Sequence, residues 1–517
     1  LNTRYNSSER TYRLGGIAIL FCTLVTLAVG CIARSFDHDE GQFIASGALL
    51  ARERLLPYLD YPYFHFPNLS FIFAALFSGS SYLLLTARSF NIVCAELLLV
   101  LVFVVALRAS AFLGEKRWLA ASAVTLLLAL NPFFKLTTGR AWNHDLPILC
   151  SFVSFLALMR GLQPGGRPRW IAASGALLGL ALGTRLTFVP LLLPLCLLTF
   201  MFSPPEVGKA RRLVLLLGSC ALVMLPTILL FAATPGTFLF DNVTMNGSLN
   251  RRYRLARHPK EYLLMAKLFV PLRLLLRRPS SLLLAIAFYV FAWRLPSRAN
   301  QVFQNANTAA YLVIVPFGIA GAMLPSPSHE QYYGMVIPFV VLGTAAGMAQ
   351  AWKQGSSRLV MRFVTAIIAI GLIETVIELH RSGISTPRRQ WAVWTKHEIG
   401  REVSRFAGNG RILTLAPIYP LEGGAGIYKE FCTGPFAWRV STYADEKDQL
   451  RYKLPTPDRL ESFLGEKPAG ILTDTGESAR LERPLVEYAR NNGYTPTKLA
   501  NALTLWLPPR SQDNVSE

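Results

Sequence analysis

The chain has 517 residues, 52% of them hydrophobic and 16% charged, where an average soluble domain carries about 25% charged residues. With a mean hydropathy of +0.36, this composition excludes an ordinary soluble protein and describes a polytopic helical membrane protein. The formal net charge of +21 would suggest a nucleic-acid partner in a soluble chain. Here much of the excess lies in short loops between apolar runs, where lysine and arginine set topology and meet anionic headgroups. No aromatic-basic nucleic-acid module accompanies it, so no nucleic acid is expected.

The first apolar run, 14–35, follows Arg4, Arg10 and Arg13. It reads as a retained first helix with a cytoplasmic N-terminus. It delivers the stretch FDHDEGQFIASGALL, with Asp37, His38, Asp39 and Glu40, to the outer side. A helix over about 40–52 is expected next, lying near the interface. The following stretch carries Pro57, Pro62 and Pro67 and cannot be one continuous helix. The apolar segment 67–80 is too short to span and suits the interface.

Further spans are expected at 83–108, 118–136, 145–160, 170–187, 188–203, 213–233, 280–293, 308–324, 332–350 and 359–379, about eleven with the first. Arg108, Lys116, Arg117, Arg160, Arg167, Arg169, Lys209, Arg211, Arg212, Arg294, Arg298, Lys353 and Arg358 fall on the inner side. Segment 234–279 is too polar to cross and too apolar for an ordinary loop, so it reads as basic amphipathic segments on the outer surface. Two domains follow from this reading: a transmembrane domain over 1–383, with amphipathic loops at 36–80 and 234–279, and an extracytoplasmic domain over 384–517. In the latter RILTLAP, AGILTD and ALTLWLP read as strands, and PDRLESFLGEK and LERPLVEYARNNG as helices, an α/β pattern. The seven cysteines show no metal spacing and no disulfide framework.

Four sets of polar residues share the outer face in this topology. They are Asp37, Asp39, Glu40 and His65; Arg140, His144 and Asp145; Arg185; and the basic loop 251–278 with His329, Glu330, Tyr332 and Tyr333. Ionisable groups beside spans usually face a bundle interior or a water-filled cavity. Each has a bland reading: Asp39 and Asp145 as helix caps, Arg185 as a snorkelling side chain, the loop arginines as lipid contacts. Their coincidence on one side favours a site. A carboxylate such as Asp39 suits proton abstraction from an acceptor, and arginine and histidine suit a departing phosphate.

The order D-E-G-x-F, P-Y-F-H-F-P, R-x-x-x-x-D, L-G-L-A-L-G-T-R-L-T and H-E-Q-Y-Y-x-x-x-x-P resembles the GT-C superfamily of membrane glycosyltransferases. It is most similar to the branch near bacterial protein O-mannosyltransferases and lipid A aminoarabinose transferases, over about residues 10–350. The resemblance implies a mainly α, GT-C-like membrane protein that transfers a sugar from a polyprenyl-phosphate donor on the outer face of a bacterial inner membrane. The acceptor would be a lipid, glycan or protein. It implies Asp39, Glu40 and Asp145 as catalytic acids. Donor-phosphate contacts fall to His65, Arg185, Arg251, Arg252 and Arg254, and a pocket to Tyr63, Arg140, His144, His329, Tyr332 and Tyr333. A divalent cation is left open as a cofactor. Relatives have lysine at the Arg185 position, and lysine and arginine are not interchangeable. Where the aminoarabinose transferases read Y-F-E-K-P-P, this chain has Tyr63-Phe64-His65-Phe66-Pro67-Asn68, which argues against aminoarabinose as the sugar and lipid A as the acceptor. Competing classes are a transporter or flippase, a membrane scaffold, and a ligase using a diphosphate-linked glycan. Transporters favour ionisable groups at the bilayer midplane within internal repeats; here the acids lie at helix ends and no repeat is evident.

Overall fold

The computed structural model describes residues 2–203, 208–257, 259, 267–292, 306–325, 327–381, 386–408 and 410–509. Arg294, Arg298 and positions 258 and 260–266 of the basic segment lie outside the described residues. Each expected span coincides with helix: Asn2–Ala33, Leu83–Ala109, Arg117–Ala129 continued by Pro132–Thr137, Asp145–Leu162, Pro168–Thr184, Leu192–Phe202, Lys209–Val223 continued by Leu225–Ala233, Pro279–Ala292, Ala306–Met323, Ile337–Lys353 and Ser357–Arg381. Among the described residues four helices are long and apolar enough to cross a membrane alone, or six if each of two bent pairs is one span. The shorter ones owe their breaks to identifiable residues. Asn131 caps a new helix by accepting the Phe133 and Phe134 N–H groups, with Pro132 in the first turn. Arg185 takes an extended conformation between Pro168–Thr184 and the 3-10 turn Leu186–Leu191.

The chain forms two compact units. One comprises Leu1–Cys31, Phe90–Leu225 and Lys260–Ser385. Its helices Pro168–Thr184 and Lys209–Val223 approach so closely that a Cβ at Gly175 or Gly179 would collide with the carbonyls of Leu216 and Cys220. Small residues four apart, the Gly-x-x-x-Gly spacing, give this contact in a lipid setting, where helices associate by close backbone packing.

The other unit comprises Ile32–Ser89, Pro226–Pro259 and Thr386–Glu517. It holds a five-stranded sheet of β1 (Arg411–Thr414), β2 (Gly426–Ile427), β3 (Gly470–Thr473), β4 (Thr495–Lys498) and β5 (Thr504–Leu507), in the order β2-β1-β3-β5-β4. β1 runs parallel to β2 and β3, while β5 runs antiparallel to β3 and β4. Leu413, Ile471 and Trp506 pack with Leu485 and Ala489 of helix Ala479–Asn491 in one apolar cluster. A second cluster draws on all three segments of the unit: Phe64; Phe240, Met245 and Leu249; and Ala437, Val440 and Leu454. The polar ties match it. Arg52 donates to the Leu421 carbonyl at 2.8 Å, the Leu84 N–H donates to Glu422 at 2.6 Å, and Lys453 donates to the Leu59 carbonyl at 2.6 Å. Residues 32–89 therefore fold with the C-terminal residues as one body.

Candidate active site

In this second unit Asp37, in extended conformation, is the N-cap of helix His38–Glu53. Its Oδ1 accepts the Asp39 N–H at 3.0 Å, and Glu40 Oε1 accepts the Asp37 N–H at 3.0 Å, a reciprocal capping box. The bland reading of Asp39 as the cap therefore falls to Asp37. Asp39 lies in the first helical turn, its side chain about a third exposed.

Glu40 is fully buried, and so is Arg88. Arg88 Nε and Nη2 donate to the two carboxylate oxygens at 2.8 and 2.7 Å, a bidentate pair. Its remaining N–H groups reach the carbonyls of Arg34 at 2.7 Å and Ser35 at 3.0 Å. One guanidinium thus ties the end of the first helix to the start of the next. Lys396 packs against the same corner, its ammonium 4.9 Å from the Phe36 ring and 4.2 Å from the Tyr419 ring, donating to the Tyr419 hydroxyl. Burial pulls the Lys396 ammonium down to about 8, opposed by the Glu40 charge and assisted by Arg88.

His38 takes other partners. Its Nε2 is 3.2 Å from Asp39 Oδ1, and its ring stacks on Phe436 with centroids 5.5 Å apart. Asp37, His38 and Asp39 each bring a ligand atom within 4.8 Å of the others, a carboxylate and imidazole set of the kind that holds a divalent cation.

His65 packs on Phe43 at 4.7 Å and edge-on to Tyr63 at 5.9 Å, and its carbonyl accepts the Tyr58 hydroxyl. The Tyr63 N–H donates to Asp241 at 2.9 Å. Asp241 is fully buried in the π-helical stretch Phe240–Leu249, and burial holds its carboxyl well above the usual carboxylate range. The basic residues lie just beyond, on helix Asn250–Leu255, with Arg251 and Arg252 exposed and Arg254 half-buried.

In the first unit Asp145 opens helix Asp145–Leu162 and is 2% exposed. Its Oδ2 accepts the Gly139 N–H at 2.8 Å. Gly139 has φ +70, and an added Cβ would meet Cys31 at 2.5 Å, so only glycine fits that turn. Asn91 donates to the Arg140 carbonyl at 2.5 Å and the Trp142 carbonyl at 3.0 Å, fixing the same loop from the next helix. Within it Asn143 accepts from Arg185 Nη1, and Arg185 Nε donates to Thr187 at 3.0 Å. The Arg185 guanidinium lies 4.9 Å from the Tyr332 ring, on which His144 and His329 also pack at 6.3 and 5.6 Å. Arg140 covers Trp142 at 4.8 Å. Tyr333 is turned into the core toward Ser328, and Glu330 pairs with Arg278 at 2.7 Å. This unit thus brings Arg140, His144, Asp145, Arg185, His329 and Tyr332 together. The other unit assembles Asp37, His38, Asp39 and Glu40, and carries Tyr63, His65 and Arg251–Arg254.

Sequence reasoning missed Arg88, Asp241, Lys396, Arg439 and Glu477. Arg439 is half-buried, 4.4 Å from the Phe436 ring and 5.5 Å from the Tyr253 ring, with Arg254, Asp39 and Glu477 as charged neighbours. The one sequence signal near it is Gly434-Pro435, a turn that starts helix Pro435–Ser441.

No family model matches the chain, and no curated protein matches it in sequence. Solved structures do. ArnT from Cupriavidus metallidurans bound to undecaprenyl phosphate is 14% identical, with a TM-score of 0.58, over 96% of this chain and 98% of that one. Its apo state is 13% identical, with a TM-score of 0.60, over 96% and 99%. The Archaeoglobus fulgidus oligosaccharyltransferase complex with Zn and sulfate is 13% identical, with a TM-score of 0.48, over 94% and 73%. The near-complete mutual coverage with ArnT shows that the chain has this GT-C-like fold, a multi-pass helical membrane part carrying a C-terminal α/β sheet.

Proposed function

We propose that the protein is a membrane glycosyltransferase that moves a sugar from a polyprenyl-phosphate donor to a lipid, glycan or protein acceptor on the extracytoplasmic face of a bacterial inner membrane. One observation carries the reading: the chain matches ArnT bound to undecaprenyl phosphate from end to end, while its own capping box assigns the cap to Asp37. Asp39 is thereby left in the first turn of a helix whose start is anchored by Glu40 and Arg88. In this reading Asp39 is the general base that takes the proton from the acceptor hydroxyl or amine as it attacks the anomeric carbon. Glu40 acts through position, since both its oxygens are engaged by Arg88.

The departing phosphate needs cationic donors in a site shielded from bulk water. His65 and Arg251, Arg252 and Arg254 supply candidates in one unit. In the other, Arg185, braced by Asn143, Thr187 and Tyr332, is built to present a fixed guanidinium to an anion. Asp145 holds the loop that carries Arg140 and His144 through the Gly139 N–H. If a divalent cation takes part, Asp37, His38 and Asp39 are the residues that would hold it.

Incubating purified full-length protein with a panel of radiolabelled polyprenyl-phosphate sugars and envelope extracts tests the reading. Transfer of label to a lipid, glycan or protein fraction is expected. Uptake of label into sealed vesicles without any new glycosidic bond would instead make the protein a transporter.

A further inference from the structure

The C-terminal segment has no role in the reading above, yet one of its side chains lies beside Asp39. A turn at Gly434 brings it there. Gly434 has φ +58, and an added Cβ would meet the Leu415 carbonyl at 2.6 Å, so a side chain at this position is strained. Helix Pro435–Ser441 follows at once. Phe436 and Arg439, three residues apart, fall on one helix face. Phe436 stacks on His38, and Arg439 lies over Phe436 and faces Tyr253. Tyr253 in turn packs edge-on against Tyr443 at 6.1 Å, and Arg252 donates to the Tyr443 carbonyl at 3.4 Å. The helix bearing Arg254 and the helix bearing Arg439 are therefore locked together through aromatic rings.

Like and opposite charges meet at this corner. Arg254 and Arg439 are charge neighbours, and their like charges oppose each other. The Nε groups of both are buried, and neither makes a hydrogen bond to any described residue. A buried N–H without an acceptor costs about 1–3 kcal/mol. Asp39 and Glu477 are the acids near Arg439. Arg251, Arg252 and Arg257 add charge of the same sign on the adjoining helix and turn. Two neighbouring guanidiniums, each with an idle Nε–H and Arg439 backed by Phe436 and Tyr253, fit one tetrahedral oxyanion, which accepts from both at once.

We infer that Arg439 and Arg254 clamp the phosphate of the polyprenyl-linked substrate beside Asp39, so that the C-terminal segment completes the substrate site. The inference rests on the glycosyltransferase reading for the identity of the substrate. The clamp brings the leaving phosphate and the base to the same corner of the second unit. Both lie on the body formed by residues 32–89, residues 226–259 and the C-terminal residues.

The test measures binding, not transfer. Full-length protein in nanodiscs of zwitterionic phosphatidylcholine is titrated with a polyprenyl phosphate, with the matching polyprenol, and with inorganic phosphate, following tryptophan fluorescence and thermal midpoint. Arg439→Gln and Arg254→Gln should each weaken polyprenyl phosphate binding by about tenfold or more, the loss expected for one charge-assisted contact. Polyprenol binding should not change. The double variant should lose little beyond either single one, because both act on one anion. The apo thermal midpoint of Arg439→Gln should hold or rise, whereas a merely structural arginine would lower it. A midpoint shift by inorganic phosphate in wild type but not in Arg439→Gln supports a phosphate site that needs no lipid. Polyprenyl phosphate protection without it supports one that does.

Wild-type affinity of Arg439→Gln for polyprenyl phosphate overturns the clamp while leaving the glycosyltransferase reading intact. Failure of the wild type to bind polyprenyl phosphate removes both. Should Arg439→Gln not fold, Arg439→Lys, which keeps the charge but not the fork, and Arg254→Gln decide. Each is expected to weaken binding, and wild-type affinity in both overturns the inference.

Discussion

Replacing Arg88 by methionine tests how the segment after the first helix is held. The substitution preserves helix propensity and most of the volume but removes every donor. Glu40 then stays fully buried with the Asp37 N–H as the contact that remains from the capping box, and the carbonyls of Arg34 and Ser35 lose this donor. Breaking one side of a buried ion pair costs about 3–5 kcal/mol. Protonation sets a ceiling on the electrostatic part: carrying a carboxyl from its ordinary value near 4.3 to neutral form at pH 7 costs about 4 kcal/mol. The two lost Arg88 contacts to carbonyls add about 1 kcal/mol or more. The unit should therefore melt roughly 10–20 °C lower, at about 2–4 °C per kcal/mol for a body of this size. In the double variant Glu40→Gln, Arg88→Met the charge is gone, and about half the loss should return. The assay is the thermal midpoint in detergent by intrinsic fluorescence, repeated at pH 5, where the single variant should lose less because Glu40 protonates more cheaply. A wild-type midpoint for Arg88→Met, or a double variant as unstable as the single one, would refute the argument that this pair anchors the loop.

Other outcomes follow from the same corner. Asp37→Ala removes the N-cap and should cost about 1 kcal/mol of stability, read as a fall of a few degrees in the melting midpoint, while transfer persists within a few-fold. Loss of transfer as complete as for an Asp39 variant would move the chemistry to Asp37. Folded Lys396 gives up its proton near pH 8, whereas an unfolded lysine keeps it to about 10.4. The cost of burying the ammonium is thus carried in full below the lower value, and stability should rise as pH climbs from one to the other. Lys396→Met should flatten that rise and stabilise the protein at pH 7, by on the order of 1–3 kcal/mol. An unchanged slope in the pH dependence of the midpoint would show that Lys396 is not its source.

The helical frame was legible because apolar runs of spanning length are set by the thickness of a bilayer. Strands β1, β3 and β5 were legible for a similar reason: ILTL, GILT and TLWL are continuous apolar runs that a buried sheet requires. β4 was not, since Thr495–Lys498 is mostly exposed, polar and contains Pro496, as only an edge strand tolerates. β2 is two residues long and carries no pattern at all. Of the candidate residues, Asp39, Asp145 and Arg185 announced themselves by standing at the ends of apolar runs. The cap was expected at Asp39, but the spacing of Asp37 and Glu40 is itself a capping-box signal, and it favours Asp37. The partners found only in the structure are long-range ones. Arg88 meets Glu40 across 48 residues, and Asp241 meets Tyr63 across 178. No local periodicity encodes such pairs. Arg439 belongs with them, since nothing around TGPFAWR distinguishes it from a surface arginine until His38, Phe436 and Tyr253 are seen in one stack.

The central claim is that Asp39 is the base of a polyprenyl-phosphate sugar transfer. Single-turnover transfer by Asp39→Asn, measured with a donor that the wild type accepts, tests it most directly. Asparagine keeps the shape and the helical turn but cannot take a proton. The account predicts a fall of at least about a hundredfold, the usual contribution of a positioned general base, with the melting midpoint and polyprenyl phosphate affinity close to wild type. Transfer at a near-normal rate would contradict it.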